Sequence, residues 1–145
     1  MKRNIIIEPD PILRKKCLPL EKVDDNLQKL MQEMLETMYQ APGIGLAAIQ
    51  VGILKRIVVI DISRDENKKD PLYLVNPVIT HRSKETSVYE EGCLSLPGQF
   101  AEIERPANCM VKYIDYNGKE QEIKADGLLA TCIQHEVDHL DGILF

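Results

Sequence analysis

The sequence has no run approaching 18 apolar residues, so no segment is long enough to cross a bilayer as a helix. Its start, Met1-Lys2-Arg3-Asn4 before Ile5-Ile6-Ile7, is too short for the apolar stretch of a secretion signal, and a cytoplasmic location is expected. There is no Lys/Arg cluster, and the net charge is −5, which argues against a nucleic-acid-binding face. No repeat, low-complexity tract or linker interrupts the chain. Four cysteines (Cys17, Cys93, Cys109, Cys132) could make two disulfides in an exported protein; without an export signal they read as thiols available to a metal. What remains is 145 residues, 44% apolar and 28% charged: one domain by length, able to bury a core without staples.

Histidine is scarce, and its placement is informative. Two of the three histidines lie in Gln134-His135-Glu136-Val137-Asp138-His139. Four residues of α-helix turn through about 400°, which stacks His135 over His139 on one face. Two neutral imidazoles one turn apart can grip one cation, and Glu136 beside them can take a proton from water. H-E-x-x-H also occurs by chance, and a surface helix carrying two histidines is the plain alternative. The apolar flank (Leu128, Leu129, Ile133) predicts partial burial instead. No third ligand stands nearby.

Pro9-Asp10-Pro11 ends the first apolar run and opens a helical turn over Ile12 to Lys16. Asp25 as N-cap with Gln28 at N3 forms a capping box. Leu27, Leu30, Met31, Met34, Leu35 and Met38 then recur at three-and-four spacing, predicting an amphipathic helix to about Gln40 whose methionine stripe is a core face. Ala41-Pro42-Gly43 stops it. The β-branched run Arg56 to Ile62 predicts a buried strand, followed by a charged loop at Arg64 to Asp70. Leu72 to Val75, Val78 to His81 and Ser87 to Glu90 predict further strands, punctuated by Pro77. Cys109 to Tyr116 and Lys119 to Lys124 flank Asn117-Gly118, a strong hairpin signal. Asp126-Gly127 opens the last helix, and Gly142 sits where a C′ glycine belongs. The expected class is α+β: a mixed, mainly antiparallel sheet with a long N-terminal helix and the H-E-x-x-H helix packed against it.

Two more stretches carry chemistry. In Glu91-Gly92-Cys93-Leu94-Ser95-Leu96-Pro97 a thiolate follows a glycine at a strand end. Cys93 with His135 and His139 would give three ligands and an open fourth position, the catalytic arrangement. An inert buried thiol is the plainer reading of Cys93, and Cys132 is its rival, although a third ligand from the same helix would crowd the site. In Gly43-Ile44-Gly45-Leu46-Ala47-Ala48-Ile49-Gln50 the glycines admit close backbone approach, and Gln50 is a neutral donor suited to an oxyanion.

Taken together, the three stretches resemble peptide deformylase, whose motifs G-x-G-x-A-A-x-Q, E-G-C-x-S and Q-H-E-x-D-H stand here, in order, as Gly43 to Gln50, Glu91 to Ser95 and Gln134 to His139. The likeness extends along the chain and includes Asp126-Gly127-Leu128-Leu129. It implies removal of the N-formyl group from the initiator methionine of new polypeptides. Cys93, His135 and His139 would hold one divalent ion, with Glu136 carrying the proton to the leaving amine. The metal, the Gln50 side chain and the Leu94 N–H would hold the oxyanion. Ile44, Gly45 and Gly92 would offer main-chain groups to an extended formylmethionyl peptide. Parts of Ile44, Tyr89, Leu128, Thr131 and Cys132 would form the methionine pocket, and Glu91 and Arg105 would pair to brace the Cys93 loop. Ligand type points to Zn²⁺, the resemblance to Fe²⁺, with Ni²⁺ or Co²⁺ as substitutes.

The resemblance has two departures. Bacterial members continue into a further helix linked to ribosome docking, whereas this chain stops at Asp141-Gly142-Ile143-Leu144-Phe145. A single domain over 1–145 is expected, monomeric and without that route to the ribosome. Position 100 is Phe where many members carry Arg, which alters the pocket rim. A zincin-type protease would take a third ligand downstream of His139, where no His or Glu follows. A purely structural metal would need a fourth ligand, for which Cys132 is the candidate.

Overall fold

The computed structural model describes residues 3–41, 43–63 and 69–143. Pro42 of the expected helix stop, and 64–68 of the expected charged loop, lie outside them.

Helix α1 spans Asp25–Gln40, with Leu27, Leu30, Met31, Met34 and Met38 buried and Leu35 half-buried. Its N-cap is Asp24, not Asp25. A cap needs a non-helical backbone, and Asp24 is extended (φ −125°), so its Oδ1 accepts from Leu27 N–H at 2.8 Å. Gln28 makes no capping box; its amide instead donates to the Tyr116 carbonyl at 2.9 Å. The helical turn expected over Ile12 to Lys16 is a 3-10 turn at Pro11–Arg14, set earlier because Pro11 supplies a helical φ and Asp10 caps Ile12 N–H.

After α1 come strands β1 (Gly45–Ala47), β2 (Ile57–Ile60), β3 (Leu72–Arg82), β4 (Thr86–Cys93), β5 (Leu96–Pro106), β6 (Asn108–Ile114) and β7 (Glu120–Asp126), then helix α2 (Gly127–Leu140). Five strands form an antiparallel sheet in the order β1-β2-β3-β6-β7, while β4 and β5 pair as a separate ribbon. The two strands expected at Leu72 to Val75 and Val78 to His81 are one. Pro77 has no N–H for the ladder, so the register shifts there, and Asn76 takes φ 51° to carry the irregularity. The Asn76 side chain is held by both backbone groups of Leu20, at 2.7 and 2.8 Å.

Strand β2 explains the layering. Side chains alternate along a strand, so Ile57 and Val59 face α1, whereas Val58 and Ile60 face α2. All four are buried because helices cover both faces, which is why this stretch reads as an unbroken apolar run. Met31, Met34 and Met38 fill the α1 side, and Ala130, Ile133 and Leu140 the α2 side. Ala130 to Val137 is buried without a break, so α2 is a central helix. Asp126 stands at its N-cap position but makes no side-chain cap there. At its other end Gly142 takes φ 80°, and a Cβ there would meet the Arg14 carbonyl oxygen at 2.4 Å. Among the described residues no helix is long and apolar enough to cross a membrane.

Candidate metal centre and active site

The central helix and the ribbon bring three soft-to-borderline donors to one point. His135 and His139 project from α2 and Cys93 ends β4. Cys93 Sγ lies 3.2 Å from His139 Nε2, and the two Nε2 atoms lie 3.0 Å apart. Their ligand atoms all fall within 4.8 Å of one another, and this is the cluster of three such residues found among the described residues. Tetrahedral bonds of about 2.0–2.3 Å place ligand atoms roughly 3.3–3.6 Å apart, so a small opening of this cluster seats a Zn²⁺-sized ion. Both rings are buried, His139 fully. Cys132 does not join them; its Sγ lies 4.0 Å from the Ile44 carbonyl oxygen.

A charged network sets the ring of His135. Its Nδ1 is 2.9 Å from Glu91 Oε1, which turns Nε2 toward Cys93 and His139. Arg105 donates to both Glu91 oxygens, at 2.8 and 3.1 Å, and its Nη1 donates to Asp138 at 2.8 Å. The Glu91–Arg105 pairing is therefore present, and Asp138, to which the sequence attached no role, ties the ribbon back to α2. Burial pushes the Glu91 carboxyl up, but bonds from His135 and Arg105 outweigh it and hold it below the usual range. Burial disfavours a charged His135, yet Cys93 and Glu91 raise its pKa overall. Burial and the positive neighbours His135 and Arg105 push His139 down, so it stays a neutral donor.

Glu136 differs from Glu91. Burial raises its carboxyl to about 7, with Glu91 adding to the shift and His135 and Arg105 opposing it. Its Oε1 sits 3.9 Å from His139 Nε2 and has no hydrogen-bond partner among the described residues. Its Oε2 lies against Gly45, where a Cβ would come within 2.4 Å. The glycine is required there because any side chain would displace the carboxylate.

Gln50 sits in a buried 3-10 turn, Ala48–Val51, directly after β1. Its Oε1 accepts from Ala47 N–H at 2.9 Å, which leaves the amide nitrogen facing Ser95 Oγ at 3.1 Å and Cys93 Sγ at 3.5 Å. Strand β1 is a sheet edge. The Ile44 carbonyl bonds Asp61 N–H at 2.9 Å on the β2 side, so strand alternation turns the N–H and C=O of Gly45 to the open edge.

A cleft of about 920 Å³ runs past these groups. Ile44, Gly45, Gln50, Tyr89, Gly92, Cys93, Leu94, Leu128, Thr131, Cys132, His135 and Glu136 all line it, which is every ligand, catalytic and substrate-binding residue nominated from the sequence except His139, which is fully buried. Thr131 and Cys132 form a buried wall, and burial, with Glu136 and Glu91, holds the Cys132 thiol neutral. Sequence reasoning missed Asp138 and Ser95. The only signal for either was its place within a motif already assigned.

The chain is also similar to known proteins. Residues 2–145 match the family model described as polypeptide deformylase. Peptide deformylase of Pelagibacter ubique is 64% identical over 99% of this chain and 83% of its own length. The crystal structure of peptide deformylase from Ehrlichia chaffeensis superposes with TM-score 0.95 at 43% identity, covering all of this chain and 86% of that one. A Met-Ala-Ser-bound deformylase of Acinetobacter baumannii gives 0.94 at 33% identity, over 100% and 96% of the two chains. The chain belongs to the polypeptide deformylase family.

Proposed function

We propose that this protein hydrolyses the N-formyl amide of the initiator methionine in newly made polypeptides, releasing formate, and does so with one divalent metal ion. The observation that carries the reading is a buried carboxylate oxygen of Glu136 with no hydrogen-bond partner among the described residues, 3.9 Å from the Nε2 of His139 that faces Cys93 and His135.

Cys93, His135 and His139 would hold the ion. When bound it supplies Lewis-acid polarisation of the formyl carbonyl and of water. With the ion bound Glu136 would be ionised, and it accepts a proton from the attacking water and returns it to the departing amine. The Gln50 amide and the Leu94 N–H donate to the oxyanion as charge develops on it, and the bond from Ala47 keeps the Gln50 amide nitrogen turned inward. Gly45 and Gly92 pair with the extended peptide as an added strand, and the methionine side chain enters between Tyr89, Leu128, Thr131 and Cys132. By the family resemblance the native ion is Fe²⁺; the Cys-His-His donor set also suits Zn²⁺, whose higher intrinsic affinity lets it displace Fe²⁺. The reaction takes place where formylated chains are made, in the cytoplasm.

The test is formate release from formyl-Met-Ala-Ser by protein loaded anaerobically with Fe²⁺, or with Ni²⁺, against an internal peptide bond as control. Formate from the first and no cleavage of the second is expected. Peptide-bond cleavage without formate would assign the site to a protease instead.

A further inference from the structure

Ile7, Ile44 and Phe100 are large apolar side chains left 51%, 41% and 66% exposed, on three separate stretches of chain. All three line the mouth of the same cleft. Single exposed apolar residues are ordinary, whereas three converging beside a binding site are not. Ile7 is fixed there because the N-terminal arm is fastened across the site, by Ile6 N–H to the Gln50 carbonyl at 2.7 Å and Glu8 N–H to the Ser95 carbonyl at 2.9 Å. Ile44 precedes β1 at the open edge. Phe100 stands on β5 directly across from Gly92, and a Cβ on residue 92 would meet its Cε1 at 2.6 Å. The ring therefore lies over Gly92, next to Cys93, with most of its surface open above the cleft. Around it the ribbon is acidic: Glu90, on the cleft, faces Glu102 across the strands.

We propose that Phe100, with Ile7 and Ile44, forms an apolar shelf that selects an apolar side chain immediately after the formylmethionine, while Glu90 and Glu102 disfavour an acidic one. This rests on the deformylase reading and adds the substrate class that the chain prefers. An extended peptide leaving the metal centre past Gly92 lays its next side chains over the ring, and part-burial of one leucine or phenylalanine there is worth roughly 5–20-fold in binding.

The test measures formate release from formyl-Met-X-Ser, with X as Leu, Phe, Gly, Lys or Asp, by the metal-loaded protein. In parallel, calorimetry measures affinity for the product peptides Met-X-Ser, which needs no turnover. The expected kcat/KM favours Leu and Phe over Asp by roughly 5–20-fold, mostly through KM. Phe100→Ser brings the ratio to within about twofold, and Phe100→Arg turns it toward Asp, whereas Val78→Ser, exposed on the main sheet, leaves it as in the parent. A flat series in the parent, or a preference that survives Phe100→Ser, overturns the shelf while formate release keeps the deformylase reading. Phe100-dependent preference in binding without formate from any peptide supports the shelf and overturns the reading. Loss of both formate and selective binding overturns both.

Discussion

Glu91 Oε1 lies 2.9 Å from His135 Nδ1, and the same carboxylate is gripped by Arg105 through two nitrogens. One residue of the ribbon thus orients a ring on the central helix, two positions before the ribbon's own thiol. A ligating histidine whose other nitrogen loses its partner typically costs about 10–100-fold in metal affinity. Glu91→Gln is expected to weaken metal binding by about that factor, read by competition with a chelator. Arg105→Lys, which keeps the charge but cannot bond Glu91 and Asp138 together, is expected to weaken it less.

Because Cys132 Sγ stands apart from the three clustered donors, the two thiols near the site should behave differently. Cys93→Ser is expected to lose most bound metal on dialysis, and Cys132→Ser to keep a stoichiometry near one. Elemental analysis of the two variants decides this. Retention by Cys93→Ser with loss from Cys132→Ser would move the third ligand onto the helix.

The site was more legible than the scaffold that holds it. Metal chemistry restricts residue types tightly, so His135, His139 and Cys93 could be nominated together, beside plainer readings of each, and the fold does bring these three to one point. Strand β5 was not expected at all. Pro97, Gly98, Glu102 and Glu104 disfavour a strand, and Leu96–Pro106 forms one because β4 supplies a partner along its length. The cap at Asp24 was one residue off because two adjacent aspartates qualify by composition, and only the backbone turn distinguishes them. The break at Asn76-Pro77 looked like a strand end because pairing with β2 and β6 on either side is invisible in local sequence.

Asp61 offers a pH test away from the metal centre. It is buried, and it accepts from the Tyr39 hydroxyl, from Ser63 N–H at 2.9 Å and from Asp70 N–H at 3.1 Å. Burial opposes its charge, but these bonds outweigh burial and hold its carboxyl below the usual range. A depressed folded pKa stabilises the protein above the unfolded carboxyl value of about 3.9, and that contribution disappears as pH falls through the folded value. Asp61→Asn is therefore expected to lower stability at pH 7 by about 1–3 kcal/mol and to flatten the decline of Tm below about pH 4. An acid limb as steep in the variant as in the parent would assign the acid sensitivity to other carboxylates.

Glu136 separates proton transfer from metal binding. It touches the cluster at 3.9 Å but contributes no atom to it, and its Oε2 is wedged against Gly45. Glu136→Gln preserves volume and hydrogen bonding while removing the basic carboxylate. General acid–base catalysis is worth roughly 10²–10⁴-fold, so kcat for formyl-Met-Ala-Ser should fall by that order with metal content unchanged. Gln50→Ala removes an oxyanion donor, and its kcat should fall roughly 10²–10³-fold with little change in KM, because the amide meets charge that exists only in the transition state. Metal analysis and initial-rate formate assays on the same preparations distinguish the cases. Near-parental turnover in Glu136→Gln would remove the carboxylate from the mechanism, and metal loss in that variant would make it a ligand.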